Sequence, residues 1–318
     1  MPQELDGLDR RIMAALQVDG RAPWRRIAAV LGEPERSVAR RGNRLLERGL
    51  VTVIGLCIGG EPVIVRSRHA SGGLRMGGTA LARRSDTTFS YAVTGTADCV
   101  TELFCAPERL LALTVDELPG LPGVVGVETL PVLHYYRTVH EWFPGVLTSD
   151  ETAGLCEFEP ITPTAQNPPP DSLSEVDHAI LRGLSGNGRL THEVLGRMAG
   201  VSEPTARRRV ESLRASGLVH LRAVVEPALL GLPVEALLWI KAAPHATDEI
   251  GHGLLESTWV RYAAVLMGEY QILCHVAAPS KAELHDFISR GAWSRRAAAV
   301  DTSLIVSPFK RSGVLRSR

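Results

Sequence analysis

Lysine is scarce in this chain of 318 residues: only Lys241, Lys281 and Lys310 occur among its 35 basic residues, and the rest are arginines. A GC-rich genome explains such an arginine bias without any selection for arginine chemistry. Acidic residues also number 35, so the formal net charge is zero. Total charge therefore gives no indication of a nucleic-acid partner, and only the local distribution of charge can do so.

Cysteines are few and do not form a recognisable pattern. No C-x-x-C motif occurs, and their number is odd. Both observations argue against a disulfide framework and against a cysteine-based zinc site. We therefore expect a reducing compartment and no bound metal. The five cysteines are Cys57, Cys99, Cys105, Cys156 and Cys274.

Long apolar runs and the common catalytic motifs are also missing. No stretch of about 18 uncharged apolar residues occurs, and the opening MPQELDGLDRR lacks the apolar core of a signal peptide. The sequence contains no G-x-S-x-G, P-loop, H-E-x-x-H or G-x-G-x-x-G motif. We therefore expect a soluble cytoplasmic protein with no cofactor, and we exclude the enzyme classes that depend on those motifs.

The sequence does contain an internal repeat. Residues 5–51 align with residues 173–219 without a gap, at an offset of 168 positions. Identical pairs include Gly20 with Gly188 and Arg21 with Arg189. A chain of this length also exceeds what one hydrophobic core usually supports. Self-similarity at a fixed offset therefore indicates a doubled unit.

Each copy of the repeat predicts three short helices. In the second copy, apolar residues at helical spacing define a first helix that Ser174 can cap, and a second helix can begin after Thr191. A third helix opens at Ser202, carries Pro204 in its first turn and ends at Gly217. Short helices joined by a tight, glycine-containing turn are typical of a helix-turn-helix domain.

Downstream of each copy, the apolar period changes from helical to alternating. After the second copy we predict the order β-α-β-β-α-β, from PVEALLWIKA to AVDTSLIVS, and the first half gives a looser version of it. The predicted fold class is α+β, with two winged helix-turn-helix domains, each followed by a ferredoxin-like βαββαβ domain. The predicted boundaries are 1–55 and 172–225 for the helix-turn-helix domains, 56–143 and 226–318 for the ferredoxin-like domains, and 144–171 for an acidic, proline-rich, exposed linker.

Three consecutive arginines lie on the third helix of the second copy. At about 100° per residue, Arg208 points outward, Arg207 lies on the flank and Arg209 points partly inward. One interpretation is a solvated face whose cations pair with nearby glutamates. The other is DNA contact, because a helix-turn-helix presents the N-terminal half of its last helix to the major groove, where arginine suits guanine. The residues predicted to face the core are Ala206, Val210 and Leu213.

Local charge favours the DNA interpretation. Residues 5–51 carry ten arginines and six acidic residues, and residues 173–219 carry seven arginines and five. Many of the compensating acidic residues lie in residues 141–177, which contain no lysine or arginine. The neutral total therefore conceals two basic helix-turn-helix domains.

The segment LSEVDHAILRGLSGNGRLTHEVLGRMAGVSEPTARRRVESLRASGLV resembles the helix-turn-helix of the Lrp/AsnC (feast/famine) transcription regulators. The resemblance lies in the opening Leu-x-x-x-Asp, the Gly-Arg after the first helix, the Gly-Val-Ser turn, the Arg-Arg-Val and the closing Gly-Leu-Val. The βαββαβ half resembles the ligand-sensing and oligomerising domain of that family. Family members are typically half as long, so this chain resembles two units fused together.

This resemblance implies a transcription regulator with double-stranded DNA as its partner, a pseudo-two-fold pair within one chain, and further assembly into homo-oligomers. In the first copy, Pro34 replaces the serine at the helix cap and Gly42 replaces Val210, so we expect that copy to be less stable or to bind DNA differently. The implied DNA-binding residues are Arg189, Ser202, Pro204, Thr205, Arg207, Arg208 and Ser212 in the second copy, and Arg21, Arg36, Ser37, Arg40 and Arg44 in the first.

Two turns are candidates for an effector site. In the family, the turn between the second and third sensor strands commonly reads Gly-x-Tyr-Asp and lies near a small-molecule site. Here VTGTAD retains Gly95 and Asp98, and MGEYQ retains Gly268 and Tyr270. One interpretation is that the glycines only supply the positive φ of a tight hairpin. The other is that Asp98 and Tyr270 line a pocket for an amino acid or a related metabolite.

The leading hypothesis is a bacterial, nucleoid-associated regulator whose two sensor sheets pack against each other within one chain. The alternative on the same architecture is an enzyme similar to siroheme decarboxylases, which use histidine and arginine on the sensor domain. For that role the chain offers His134, Tyr135, Tyr136 and Arg137 on one strand and His275 on another. A third possibility is a protein-interaction module whose basic domains are vestigial.

Overall fold

The computed structural model describes residues 5–56, 60–156 and 173–316. The chain forms two compact units, and each unit combines a segment from the first half with a segment from the second. The first unit comprises Met1–Ile58 and Phe143–Leu230, and the second comprises Gly59–Trp142 and Gly231–Arg318. Both helix-turn-helix copies therefore lie in the first unit, and both β-rich halves lie in the second. The predicted α+β class is confirmed.

The first unit contains three helices and one strand from each copy of the repeat. The helices and strands of the first copy are α1 (Gly7–Val18), α2 (Trp24–Leu31), α3 (Glu35–Glu47) and β1 (Val51–Leu56), and those of the second copy are α7 (Glu175–Gly186), α8 (His192–Ala199), α9 (Glu203–Ala215) and β6 (His220–Val225).

Side-chain caps determine where several of these helices begin. Ser174 and Thr191 each accept a hydrogen bond from a backbone N–H of the first turn, as predicted. Ser202 occupies the corresponding position of α9, but its Oγ lies 3.0 Å from Oγ1 of Thr205 and caps no backbone N–H. The expected advantage of Ser202 over Pro34 as a cap is therefore absent, since neither side chain caps its helix.

Gly42 is explained by a neighbouring ring. A Cβ at this position would lie 2.3 Å from Cη2 of Trp24, so the indole of α2 fills the space that a side chain of α3 would need. In the second copy the same two positions hold His192 and Val210, and Val210 is buried. The two copies thus divide the volume of this core differently between the same two helices.

The acidic segment predicted as an exposed linker contains a helix, α6 (Ser149–Leu155). Thr148 and Glu151 form a capping box at its start. Leu155 is fully buried, and Arg26 of α2 donates to the carbonyl oxygen of Gly154 at 3.2 Å. The acidic segment is thus in part a folded element packed on α1 and α2. Residues 157–172, which contain the three consecutive prolines, lie outside the described residues.

The second unit contains the two ferredoxin-like halves, and its second half has the predicted β-α-β-β-α-β order. In the first half, the second helix is replaced by helical turns from Pro107 to Glu117, which include the short α5 (Leu110–Ala112). The first half consists of β2 (Glu61–His69), α4 (Leu74–Arg83), β3 (Thr87–Val93), β4 (Cys99–Cys105), α5 and β5 (Val124–Arg137). The second half consists of β7 (Val234–Lys241), α10 (Thr247–Leu255), β8 (Val260–Leu266), β9 (Ile272–Ala278), α11 (Lys281–Arg290), β10 (Ala299–Arg311) and the short β11 (Val314–Leu315).

The strands of the two halves form one closed sheet. Residues 124–131 of β5 pair with β2 of the same half, and residues 132–137 pair with β8 of the other half. In the same way, β10 pairs first with β7 and then with β3. The order β10-β3-β4-β2-β5-β8-β9-β7 therefore returns to β10, and each long strand joins the two halves.

Aromatic side chains from both halves fill the space enclosed by this sheet. The rings of Phe89 and Tyr91 stack with centroids 4.8 Å apart, and the ring of Tyr262 meets those of Phe89 and Tyr135 edge-on. Trp239 belongs to the same buried cluster. The two predicted sensor sheets thus share one core. None of the helices in the described part of the chain could span a membrane.

Candidate DNA-binding surface and sensor site

The buried face of α9 is the one that the sequence predicts. Ala206, Val210 and Leu213 are at most 4 % exposed and pack in the core of the second helix-turn-helix. The opposite side of the helix is open to solvent. The predicted DNA contacts on it are Ser202, Pro204, Arg207, Arg208 and Ser212, all exposed, and Thr205, which is half-buried.

The three consecutive arginines of α9 differ in what they bind. Arg207 forms an ion pair of 3.1 Å with Glu203, one turn earlier on the helix. Arg209 lies 3.8 Å from Asp177 of α7, which agrees with its predicted inward direction. Arg208 is exposed and has no hydrogen bond or ion pair with any residue that the structure describes. Arg208 is therefore the member of this group that is free to meet an anion.

On α3 of the first copy, Arg36 and Arg40 are exposed and likewise lack a described partner, while Ser37 is half-buried. Arg44 turns back toward α1, where it donates to both carboxylate oxygens of the buried Asp9 at 3.0 Å. The sequence predicted a DNA contact at this position, but its cation already neutralises an acidic residue within the domain. Outward-facing cations on α3 are therefore Arg36 and Arg40.

Arg21 and Arg189, also predicted to contact DNA, connect the two copies instead. Arg21 donates to the carbonyl oxygen of Gly188 at 2.8 Å, and Arg189 donates to that of Gly20 at 2.7 Å. Because residues 20 and 21 align with residues 188 and 189, the two contacts are equivalent. Burial, followed by repulsion from Arg214 and Arg189, lowers the pKa of Arg21 to about 10.

The aromatic neighbours of these two arginines are equivalent as well. The guanidinium of Arg189 lies 4.5 Å from the ring centroid of Trp24, and that of Arg21 lies 3.3 Å from Nε2 of His192. Both arginines are therefore occupied between the copies, and we do not include them in the proposed DNA-binding surface. The repeated Gly-Arg pair was visible in the sequence, but the carbonyl partners across the copies were not.

Backbone pairing completes the contact between the copies. Strands β1 and β6 are antiparallel, with Val51 opposite Val225 and Leu56 opposite His220. The N–H of Gly188 donates to the carbonyl oxygen of Val53 at 2.7 Å, and the equivalent bond runs from Gly20 to Leu221. The helix-turn-helix copies thus form a pseudo-two-fold pair within one chain.

The two candidate effector turns of the second unit are built differently. Gly95 has φ +106°, as a tight hairpin requires. Gly268 has no positive φ, and a Cβ there would lie 2.5 Å from Cδ2 of Leu130, so close packing explains this glycine. The positive-φ interpretation therefore holds for Gly95 only. Asp98 accepts a hydrogen bond of 2.7 Å from the backbone N–H of His69.

A cavity of about 200 Å³ lies beside the Gly95 turn. Arg66 in its wall donates to Glu128 at 2.9 Å and to Thr96 at 2.6 Å. The same guanidinium lies 4.6 Å from the ring of Trp239 and 5.8 Å from that of Tyr270. Tyr270, from the second half, therefore contacts Arg66 in the wall of a cavity that lies in the first half. The lining residues are Arg66, Arg68, Thr96, Ala97, Gly126, Val127 and Glu128, and no motif in the sequence indicated Arg66 or Glu128.

The histidine, tyrosines and arginine named for the enzyme alternative do not meet at one site, although the rings of His134 and Tyr136 lie edge-on with centroids 5.1 Å apart. Along β5, Tyr135 points into the core and donates to Glu102, whereas Tyr136 donates to Asp248. Arg137 donates hydrogen bonds to backbone carbonyl oxygens, including that of Val260 at 2.9 Å. Its cation is therefore not available to a substrate.

His275 belongs to a separate buried charge cluster. Its Nε2 lies 3.0 Å from Glu235, which also accepts hydrogen bonds from Arg261 at 2.6 Å and Arg311 at 2.8 Å. The two arginines hold the pKa of Glu235 well below its usual range despite burial. Burial lowers the pKa of His275 to about 4, so the imidazole is neutral at pH 7. In the described residues, no group of three histidine, cysteine, aspartate or glutamate side chains could hold a metal ion.

Comparison with known proteins agrees with this geometry. Residues 5–46 and 173–214 match the AsnC-type helix-turn-helix domain, and residues 235–315 match the Lrp/AsnC ligand binding domain. An uncharacterized HTH-type transcriptional regulator of Pyrococcus furiosus is 30% identical over 150 residues, which are 45% of this chain and 97% of that protein. This chain belongs to the Lrp/AsnC family.

One more relative and one solved structure are similar to this Lrp/AsnC chain. The HTH-type transcriptional regulator Ptr1 of Methanocaldococcus jannaschii is 34% identical over 103 residues, covering 32% of this chain and 70% of that protein. Both relatives are archaeal, so a bacterial source stays a prediction. The siroheme decarboxylase NirDL is 13% identical, with a TM-score of 0.60 over 96% of this chain and 93% of that chain, which shows a shared fold.

Proposed function

We propose that this Lrp/AsnC chain is a transcription regulator that binds double-stranded DNA through the exposed sides of α9 and α3, and that it is not an enzyme. The observation that carries the proposal is Arg208, an exposed arginine without a described partner on the last helix of a helix-turn-helix. Exposed hydroxyls at Ser202 and Ser212 flank it. Hydroxyls and cations on the exposed side of such a helix can bind phosphates and the edges of guanine bases.

The two domains should recognise different half-sites. Arg36 and Arg40 provide the outward cations of α3, whereas Arg208 provides that of α9. The paired β1 and β6 strands and the contacts of Arg21 and Arg189 hold both domains in one unit. A fused chain with unlike domains can therefore read an asymmetric operator.

The cavity beside the Gly95 turn is the proposed effector site. Arg68 can bind a carboxylate, and Glu128, whose Oε2 already accepts from Arg66, can accept a hydrogen bond from an ammonium group through its other oxygen. An amino acid or a related small metabolite has this combination of charges. We also propose a cytoplasmic, nucleoid-associated location and assembly into homo-oligomers, which is typical of the family.

A genome-wide footprint of the tagged protein tests the DNA proposal and identifies the operator. With that operator, Arg208→Ala should weaken specific binding by ~1–3 kcal/mol in a gel shift at fixed salt. Arg290→Ala is the control, because it removes an exposed arginine from α11 in the other unit. Unchanged binding by Arg208→Ala would remove Arg208 from base recognition.

The enzyme alternative has a direct test of its own. NirDL has also been solved in complex with an iron-uroporphyrin III analogue. Purified protein mixed with a siroheme-type tetrapyrrole should give no shifted Soret band if the regulator proposal is correct. A saturable Soret shift together with no genomic footprint would overturn it.

A further inference from the structure

Helices α4 and α10 occupy equivalent places in the two halves of the second unit. Each has a glycine where a ring from a neighbouring strand packs closely. A Cβ at Gly78 would lie 2.4 Å from the ring of Phe309, and one at Gly251 would lie 2.2 Å from the ring of Tyr136. Both pairs are related by an offset of 173 positions. The surfaces beside the two helices can therefore be compared position by position.

These surfaces carry opposite charges. At the same offset, Arg75 on α4 corresponds to Asp248 on α10, and Arg83 corresponds to Glu256, which directly follows α10. All four residues are exposed. We call the surface around Arg75, Met76, Arg83, Val306 and Leu315 the basic face, and the surface around Leu133, Asp248 and Glu256 the acidic face.

The charged groups are available for a partner. Neither Arg75 nor Arg83 forms a side-chain hydrogen bond or an ion pair with the described residues, although most arginines of this unit do. Glu256 also lacks a described side-chain partner, and Asp248 accepts one side-chain hydrogen bond, from the hydroxyl of Tyr136 at 2.6 Å. Opposite charges that remain unpaired on one molecule can pair between two molecules.

Exposed apolar side chains accompany the charges. On the basic face, Met76, Val306 and Leu315 are 56 %, 64 % and 53 % exposed, and on the acidic face Leu133 is 63 % exposed. The basic face also contains a cavity of about 490 Å³ between α4 and β10, and no carboxylate lines it. An apolar patch rimmed by arginine is characteristic of protein interfaces.

We propose that the basic face of one chain binds the acidic face of a second copy of the same chain. With α4 antiparallel to α10, Arg75 would meet Glu256, Arg83 would meet Asp248, and Leu133 would enter the cavity. Like charges oppose contact between two basic faces or two acidic faces. The contact is therefore head-to-tail, and because every chain carries both faces it continues into a ring or a row of chains.

A small anion in the cavity would account for the arginines but not for the acidic residues at the equivalent positions or for the exposed Leu133. A second copy accounts for all of them. The proposal rests on the proposed assembly into homo-oligomers but not on DNA binding, since both faces belong to the second unit.

Charge reversal in the full chain tests the contact by sedimentation velocity over a range of protein concentrations. Wild type should associate, and added NaCl should weaken the association. The variant R75E/R83E has two acidic faces, and the variant D248R/E256R has two basic faces. Each should raise the concentration needed for association by about tenfold or more, because each leaves only like charges to meet.

Restoration is the decisive part of this experiment. A mixture of the two reversed variants, and a single chain carrying all four changes, should both associate again. Arg290→Glu is a control that reverses one exposed positive charge outside both faces. Tyr136→Phe is a second control, which removes the hydrogen bond to Asp248 without altering charge. Both variants should associate as wild type does. A wild type that stays single at all concentrations, or reversals without effect or without restoration, would overturn the proposal.

Discussion

The two helix-turn-helix copies share one frame but fill it differently. In the first copy Trp24 fills the space that Gly42 leaves open, whereas the second copy uses His192 and Val210 at these positions. Helix α6 packs on α1 and α2 of the first copy. A duplicated domain can therefore keep its backbone while its volume and surface charge change, provided that each change is compensated by a neighbour.

The two ferredoxin-like halves show the same behaviour with charge. The fourth residue of β4 is Glu102, and the fourth residue of β9 is His275; both are buried. Burial raises the pKa of Glu102, although hydroxyls of Thr88, Tyr262 and Tyr135 hydrogen-bond to it. Equivalent positions in one core therefore hold an acid and a base, each favoured in its neutral form.

The largest expected difference between these two positions is in how they make the free energy of unfolding depend on pH. His275 has a pKa of about 4 in the folded state against 6.5 for the ordinary side chain. Between these values the unfolded chain binds more protons, so stability falls as pH decreases from 6.5 to 4 and is fully retained above 6.5. The loss should be on the order of 3 kcal/mol in urea unfolding measured at several pH values.

His275→Gln should flatten this part of the pH profile, because glutamine can still donate to Glu235 and does not titrate. Glu102→Gln should act in the opposite sense: the raised pKa of Glu102 means that its contribution is lost as pH rises, so the variant should gain relative to wild type at neutral pH. Parallel profiles for wild type and both variants would show that neither group contributes to the pH dependence.

Gly42→Val should destabilise the first helix-turn-helix by about 2 kcal/mol, because the new side chain overlaps the indole of Trp24. Trp24→His in the same chain should recover most of that loss, since it reproduces the His192 and Val210 pair of the second copy. Calorimetry of the single and double variants measures the coupling. A double variant as unstable as the sum of its single changes would refute the exchange of volume between helices.

Arg189→Ala should cost about 1.5 kcal/mol, because it removes a charged hydrogen bond to the carbonyl oxygen of Gly20 and the stacking on Trp24. Arg21→Ala should cost less, since its ring neighbour is His192. Thermal unfolding of each variant, with Arg290→Ala as the exposed control, ranks the three. Equal effects of Arg189→Ala and Arg290→Ala would contradict a structural role for Arg189.

Much of the local structure could be predicted from the sequence, because helical spacing, caps and the repeat are local signals. The helices of the second copy, the buried face of α9 and the strand order of the second half follow from them. Pairings between halves could not be predicted. Residues 124–137 form one uninterrupted strand, and nothing in their alternation shows that the strand changes partner midway.

The DNA-binding surface and the effector site were predicted less completely, because they too depend on contacts between residues that are distant in the chain. Arg208 is exposed as its helical angle requires, but Arg44 and Arg189 are bound by groups distant in the chain. Arg66 had no motif, since its neighbours Trp239 and Tyr270 come from the other half. A sequence shows which residues are cations, whereas the fold determines which of them are already neutralised.

A hydroxyl-radical footprint of the operator tests most directly the claim that one chain presents two unlike DNA-binding domains. We predict two half-sites whose centres lie about one helical turn apart, or a multiple of one turn. Arg208→Ala should lose protection at one of them and Arg40→Ala at the other. Absence of protection, or equal loss at both half-sites from either single change, would contradict the account.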